Sequence, residues 1–222
     1  YEISACLVGS EMCIRDSGTI ALKKGGNMRF VHIADMHFDA PFVVLNSRTN
    51  LGEIRRMEQR KALKKVINYI KENNIKTVIP VSDKPVGIGN MTFKFYQPEK
   101  NFGNTNDNSL VTMLEYDEKR FLFTGDISSK REESMVNSDK ELKCDVLKVA
   151  HHGSKYSSSE DFLAKASPET AVISVSADDT ALPDYYITAL LNSVCKNVYR
   201  TDSDKTVMIT VENGEICTKT HA

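Results

Sequence analysis

The sequence has no tryptophan, no CxxC pair and no excess of charge of one sign. Its five cysteines are scattered and odd in number, which excludes a simple disulfide framework or zinc knuckle and favours free thiols in a reducing compartment. The net charge of −1 gives no global basic signal, so a nucleic-acid partner would need a local site. No apolar run approaches the roughly 20 residues that span a bilayer, and no signal-peptide core follows a basic start. These absences predict a soluble, cytoplasmic protein.

The chain divides into three unequal pieces. Residues 1–27 are interrupted by glycines and predict an unstructured leader. Residues 28–75 predict a strand at Arg29–Ile33 and an amphipathic helix at Glu53–Asn73, the β–α opening of an α/β domain. Residues 76–222 predict an α/β domain in which strands come first and then alternate with helices.

In the third piece, two helices are predicted, Ser158–Ala166 and Asp184–Ser193, with Asn213-Gly214 as a turn between the last two strands. The predicted strands are Thr77–Val81, Met91–Tyr96, Leu110–Tyr116, Arg120–Thr124, Asp145–Val149, Ala171–Val175, Asn197–Tyr199, Val207–Val211 and Ile216–Thr218.

Three polar clusters lie where predicted strands meet loops: Asn106–Ser109, Thr124–Asp126 and His151–Ser154. Such edges are where α/β proteins build their sites. Carboxylate and imidazole groups suit Zn²⁺ or Mn²⁺. Since neighbouring residues of an extended chain point to opposite sides, we expect at most one histidine of the pair to face a given metal. The Ser154 hydroxyl is able to hydrogen-bond a phosphate oxygen.

These clusters carry a resemblance to a known family. The runs NDNSLV, FLFTGD and CDVLKVAHHGSKYSSSEDFL, followed in order by SPETAVISVS and YRTDSDKTV, resemble the metallo-β-lactamase domain at the C-terminus of ComEC-type competence proteins. The likeness covers about residues 76–214. It implies an αββα sandwich, one or two divalent metals (Mn or Zn), and hydrolysis of phosphodiesters such as DNA by a metal-activated hydroxide.

The resemblance also implies roles for individual residues. Asp126 would bridge the metals, His151 or His152 would line the metal or phosphate site, and Asp107 would lie at a nearby ligand position. Arg200 and Thr201 would lie near the substrate phosphates.

The sequence departs from the family pattern at the ligands. The main ligand motif of the family, HxHxDH, is absent, and Leu182 precedes Pro183 where the family has a histidine. Lys205 replaces a glycine in the turn after YRTD. Because a catalytic zinc typically takes three protein ligands, we expect a partial sandwich that binds metal weakly, with little or no turnover.

The N-terminal pieces carry two other resemblances. The run MRFVHIADMHFDAPF resembles the start of SbcD-like DNA repair exonucleases of the calcineurin-like phosphoesterase fold, where Asp35 and His37 of the DxH motif would supply the first metal ligands. The run CLVGSEMCIRDS within residues 1–27 resembles translated sequencing-adapter read-through, which would make Met28 the natural start. The alternatives to a ComEC-type hydrolase are therefore an SbcD-like nuclease fragment grafted as an N-terminal β–α unit, and a non-catalytic chimeric product.

Overall fold

The computed structural model describes residues 2–7, 18–23, 51–72, 74, 81–82, 84–177 and 179–221. Strands β1 (Glu2–Leu7) and β2 (Gly18–Lys23) pair antiparallel, where the sequence predicts no regular element. Gly18 begins β2 instead of interrupting an element, and backbone pairing between strands is a signal that local apolar periodicity does not carry. Helix α1 (Leu51–Glu72) agrees with the predicted helix, and the predicted strands Arg29–Ile33 and Thr77–Val81 lie outside the described residues.

A seven-stranded mixed sheet is the centre of the third piece, with strands in sequential order. Its first four strands are antiparallel and its last four are parallel, so that the change of direction falls at the fourth strand. The strands are β3 (Val86–Ile88), β4 (Met91–Tyr96), β5 (Val111–Tyr116), β6 (Lys119–Phe123), β7 (Val146–Lys148), β8 (Thr170–Ile173) and β9 (Asn197–Arg200). All were predicted within a few residues except β3, which lies between two predicted strands and was not itself predicted.

Helices cover one face of this sheet. They connect successive parallel strands and are α2 (Ser129–Val136), α3 (Glu160–Ala166) and α4 (Tyr185–Val194). The Asp184 side chain caps α4 by accepting hydrogen bonds from the backbone N–H groups of Tyr186 and Ile187, which explains why the predicted start is accurate. Helix α2 was not predicted, because two of its three buried residues, Arg131 and Glu132, are charged and give no apolar stripe.

The other face of the sheet packs against a C-terminal hairpin of β10 (Thr206–Glu212) and β11 (Glu215–His221), preceded by the short helix α5 (Thr201–Asp204). Asn213 and Gly214 both have left-handed φ values, 53° and 78°, as a tight hairpin turn requires, so this predicted turn is confirmed.

Neighbouring residues of one strand pack in two different hydrophobic cores, one on each face of the sheet. In β8, Ala171 and Ile173 pack with the helices whereas Val172 packs with the hairpin, and Leu147 and Val146 of β7 divide in the same way. Burial on both faces explains why these parallel strands are nearly continuous apolar runs. The predicted α/β class is confirmed, with helices, sheet and hairpin as three successive layers.

Candidate functional site

The parallel strands β6, β7 and β8 end at one edge of the sheet. Phe123 pairs with Lys148, and Lys148 pairs with Val172. The loops that follow these strands therefore leave the sheet side by side, as is usual for sites in open α/β sheets. Two of the predicted clusters, Thr124–Asp126 and His151–Ser154, follow the ends of β6 and β7, so the sheet topology alone brings these two clusters together.

Asp126 is positioned by a close backbone approach. Gly125 has a φ of 62°, and a Cβ at this position would lie 2.9 Å from Cβ of Ser109. The Ser109 hydroxyl oxygen accepts a hydrogen bond from the backbone N–H of Asp126 at 3.3 Å. A glycine is therefore required before Asp126 for both conformational and steric reasons.

His152 faces Asp126. Its Nε2 atom lies 3.5 Å from Oδ1 of Asp126, and both side chains are largely buried, with 13% and 14% exposed. Its other ring nitrogen, Nδ1, lies 2.9 Å from the carbonyl oxygen of Ser174 at the end of β8. A carbonyl oxygen only accepts, so Nδ1 carries a hydrogen and donates it, and this bond aims Nε2 at the Asp126 carboxylate.

His151 takes a different set of contacts. Its ring is edge-on to that of His152, with centroids 6.2 Å apart, and the Asn106 side chain contacts its Nε2 at 3.3 Å. The backbone N–H of His151 donates to the carbonyl oxygen of Gly125. Both histidines have left-handed φ values, 49° and 57°, in a short 3₁₀ turn (Ala150–Gly153) rather than an extended strand. The premise that the two histidines lie in an extended chain was therefore wrong. Only His152, however, forms the close pair with Asp126.

The electrostatic setting of Asp126 favours its ionised form. Burial acts to raise the pKa of this carboxyl, but the contact with His152 and the positive charge of Lys148 outweigh burial, so the pKa lies below its ordinary value. Lys148 belongs to β7, and its influence on the site was not foreseen because it sits inside a strand among apolar residues.

The structure does not bring Asp107 to the pair. Its carboxylate accepts hydrogen bonds from the backbone N–H of Ser128 at 2.7 Å and from the Asn104 side chain at 2.6 Å. Burial alone would raise the pKa of Asp107, but these hydrogen bonds, with the charge of Lys130, lower it. Asp107 is only 1% exposed, and its hydrogen bond with Ser128 connects its loop to the start of α2.

The residues expected near substrate phosphates are already engaged. The Thr201 hydroxyl accepts from the backbone N–H of Val175 and donates to its carbonyl oxygen, both at 2.8 Å. The Arg200 guanidinium makes two hydrogen bonds to the Asp202 carboxylate, at 3.1 and 2.5 Å. The Ser154 hydroxyl is buried and accepts from the backbone N–H of Tyr156 at 3.3 Å. These three side chains close loops at the same sheet edge.

Leu182 lies in the loop that packs against the histidine turn. Pro183 leaves so little room that a Cβ on Gly153 would lie 2.8 Å from its own Cβ, and the backbone N–H of Asp184 donates to the carbonyl oxygen of Gly153. Leu182 itself is half-buried against the helix-side core. An apolar side chain thus stands beside the histidine turn, at the position where a ligand was expected from the resemblance.

The donor set does not fit a complete catalytic metal centre. Among the described residues, no three His, Cys, Asp or Glu side chains are grouped so that they could hold a metal ion. Asp126 and His152 are two ligands of suitable type, one short of the usual three. Asp35 and His37 lie outside the described residues.

Several known proteins and one family model are similar to parts of this chain. Residues 97–177 match the family model described as the Metallo-beta-lactamase superfamily, and this segment includes Asp107, Asp126 and both histidines. The family likeness thus falls on the part of the chain that carries the candidate site. ComE operon protein 3 of Bacillus subtilis (strain 168) is 33% identical over 128 residues, 57% of this chain and 16% of that protein.

Two further proteins are similar. Recombination protein 2 of Haemophilus influenzae (strain ATCC 51907 / DSM 11121 / KW20 / Rd) is 39% identical over 69 residues, 31% of this chain and 8% of that protein. The chain thus spans less than a fifth of either curated relative. The crystal structure of the metallo-beta-lactamase fold protein YhfI from Bacillus subtilis aligns over 65% of this chain and 56% of that one, with a TM-score of 0.37 and 9% identity. In the part of this chain that is described, no helix has the length and apolar character to cross a membrane.

Proposed function

We propose that this chain contains part of a ComEC-type metallo-β-lactamase hydrolase that acts on phosphodiester bonds of DNA, with a ligand set too small for efficient turnover. The observation that carries the proposal is the pairing of His152 Nε2 with the Asp126 carboxylate at 3.5 Å. The substrate class comes from the ComEC-type sequence runs and is supported by the ComE operon relative.

The chemistry of this pair favours a cation. Because Nδ1 of His152 donates to a carbonyl oxygen, Nε2 and the Asp126 carboxylate oxygen face each other at a distance that a shared proton or a shared cation bridges. Two donor atoms that bind one tetrahedral zinc at about 2.0–2.1 Å are about 3.4 Å apart. The hydrogen bond from Nδ1 to a carbonyl oxygen is the usual support for a metal-binding imidazole. A bound divalent metal would supply an activated water and neutralise charge on the phosphate.

The same pair limits what the chain can achieve. Asp107 is committed to the start of α2, and Leu182 offers no electron pair for a cation. We therefore expect a divalent metal, Mn²⁺ or Zn²⁺, to bind with a dissociation constant well above the micromolar range. Asp126 and His152 would each supply one ligand to this metal, but with only two ligands turnover stays close to background.

The test combines metal binding and hydrolysis. Isothermal titration with Zn²⁺ and with Mn²⁺ is compared for the wild type, Asp126→Ala and Asp139→Ala, which removes an exposed carboxylate elsewhere. Hydrolysis of a chromogenic phosphodiester is followed with Mn²⁺ for the same three proteins. We expect weak binding and a small excess rate over background, both lost only in Asp126→Ala.

Two results would contradict the proposal in different ways. Equal background rates in the wild type and Asp126→Ala would remove hydrolysis as the activity of this chain. A stoichiometric complex of micromolar or tighter affinity would show that the ligand set is more complete than the described residues indicate.

A further inference from the structure

Three positively charged groups surround one phenyl ring beside the site. The Nζ atoms of Lys100 and Lys130 lie 5.3 and 5.9 Å from the centroid of the Phe102 ring, and the guanidinium carbon of Arg131 lies 5.3 Å from it. Each contact is individually attractive, since the face of an aromatic ring is negative. Three like charges around one ring nevertheless repel one another, so the cluster favours an anion.

The neighbouring acids are occupied elsewhere. Glu99 forms an ion pair with Lys140 and accepts a hydrogen bond from the Ser134 hydroxyl at 3.0 Å. Asp107 accepts a hydrogen bond from the backbone N–H of Ser128 at the start of α2. Within the described part of the chain, neither Lys100 nor Lys130 forms an ion pair, and both are exposed. Two exposed positive charges are therefore available at the surface.

The buried Arg131 adds to the positive electrostatic potential at this surface. It is completely buried, its Nη2 donates to the carbonyl oxygen of Gln97 at 2.7 Å, and its Nε and Nη1 have no hydrogen-bond partner. A buried cation with unsatisfied donors is costly, and an anion at the surface above it would offset part of that cost.

The cluster is tied to the candidate site through the loop that precedes β5. Asn106 of this loop contacts His151, and Ser109 accepts from the backbone N–H of Asp126. Lys130 lies in the first turn of α2, four residues after Asp126 in the sequence. The lysines and the Asp126–His152 pair are therefore connected through this loop and through the short segment that leads from β6 into α2.

We infer that Lys100 and Lys130 form a phosphate-binding surface for the backbone of the DNA strand delivered to the Asp126–His152 pair. The inference rests on the proposed function for the identity of the polymer. Phosphate contacts of this kind set the position of a strand without reading its sequence. Each lysine neutralises one phosphate, and both ammonium groups lie against the Phe102 ring.

The experiment measures DNA binding as a function of salt. Fluorescence anisotropy with a labelled single-stranded oligonucleotide, without metal, compares the wild type with the double variant Lys100→Gln/Lys130→Gln. The control is Lys143→Gln/Lys196→Gln, which removes two exposed lysines away from this surface. Because each phosphate contact on a single strand contributes about 0.7 to the slope of log K against log salt, the double variant should lose about 1.4 in slope and at least about tenfold in affinity at low salt.

The outcomes separate this inference from the proposed function. A slope and affinity lowered no more than in the control pair would overturn the phosphate-binding surface and leave the hydrolase proposal intact. A wild type that does not bind DNA in a salt-dependent way would overturn both this surface and DNA as the substrate, while Asp126-dependent hydrolysis of the small chromogenic phosphodiester would still report on the catalytic proposal.

Discussion

The Nε2 atom of His152 lies 3.5 Å from Oδ1 of Asp126, although the two residues follow different strands. Two features create this distance: the parallel pairing of β6 with β7, and the left-handed turn that redirects the chain after β7. The Ser109 hydroxyl accepts a hydrogen bond from the backbone N–H of Asp126, and the Ser174 carbonyl oxygen accepts one from Nδ1 of His152. The geometry of the site therefore depends on backbone conformation as much as on the two ionisable side chains.

A histidine in place of Leu182 should strengthen metal binding. The loop containing Leu182 packs directly against the histidine turn, so Leu182→His places a third imidazole beside the Asp126–His152 pair. We expect the Zn²⁺ affinity, measured by isothermal titration, to rise at least about tenfold. Leu190→His, which changes another half-buried leucine packed on the same core, is the matched control. Failure of Leu182→His to exceed this control would show that residue 182 does not reach the pair.

Alanine at Gly125 should be more destabilising than alanine at Gly214. Both glycines have positive φ, which costs a residue with a Cβ about 1–2 kcal/mol. Only at Gly125 would the new Cβ also meet Ser109, at 2.9 Å, and disturb the hydrogen bond to Asp126, for which we expect a further loss of about 1–2 kcal/mol. Urea unfolding of both variants measures the difference, and equal losses would refute the steric argument.

Replacement of Asp107 should affect stability and leave metal affinity unchanged. Asp107→Asn puts a donor where Asn104 and the Ser128 backbone already donate, and we expect a loss of about 2 kcal/mol at pH 7. The pKa of Asp107 is lowered in the folded protein, so its stabilisation is complete above the unfolded pKa of about 3.9 and is lost as the pH falls through the folded pKa.

The test of Asp107 is urea unfolding of the wild type and Asp107→Asn between pH 7 and pH 3, with Asp139→Asn as an exposed control. The stability gap should be constant from pH 7 to about pH 5 and narrow below that. A gap that widened on acidification, or a weakened Zn²⁺ affinity in Asp107→Asn, would contradict the structural role.

Glu132 should be a major determinant of stability. Its buried carboxylate accepts from the backbone N–H groups of Ser158 and Ser159 and from the Ser159 hydroxyl, at 2.6 to 2.8 Å, which joins α2 to the start of α3. Glu132→Ala leaves these donors unsatisfied, and we expect a loss of about 3 kcal/mol. Glu133→Ala, at the next and exposed position of the same helix, should stay within about 0.5 kcal/mol of the wild type. Similar thermal unfolding of the two variants would contradict this role.

Much of the fold could be predicted because the conformation favoured by the local sequence is the one found in the tertiary structure. The strand Met91–Tyr96 was predicted at its observed bounds, and Asn213-Gly214 and Asp184 mark a turn and a helix start through their own backbone preferences. Helix α2 could not be predicted in this way, because its buried Arg131 and Glu132 are made acceptable only by partners distant in sequence.

The candidate site, too, was predicted from the sequence only in part. The sequence by itself determined which polar clusters stand at strand ends and that these strands belong to an α/β fold, since composition and periodicity are local properties. Only the tertiary structure decided that His152 rather than His151 faces Asp126, that Asp107 and Thr201 serve the scaffold, and that Lys100 and Lys130 share one aromatic ring. Those outcomes depend on strand register and left-handed turns, which bring together atoms from segments that are far apart along the chain.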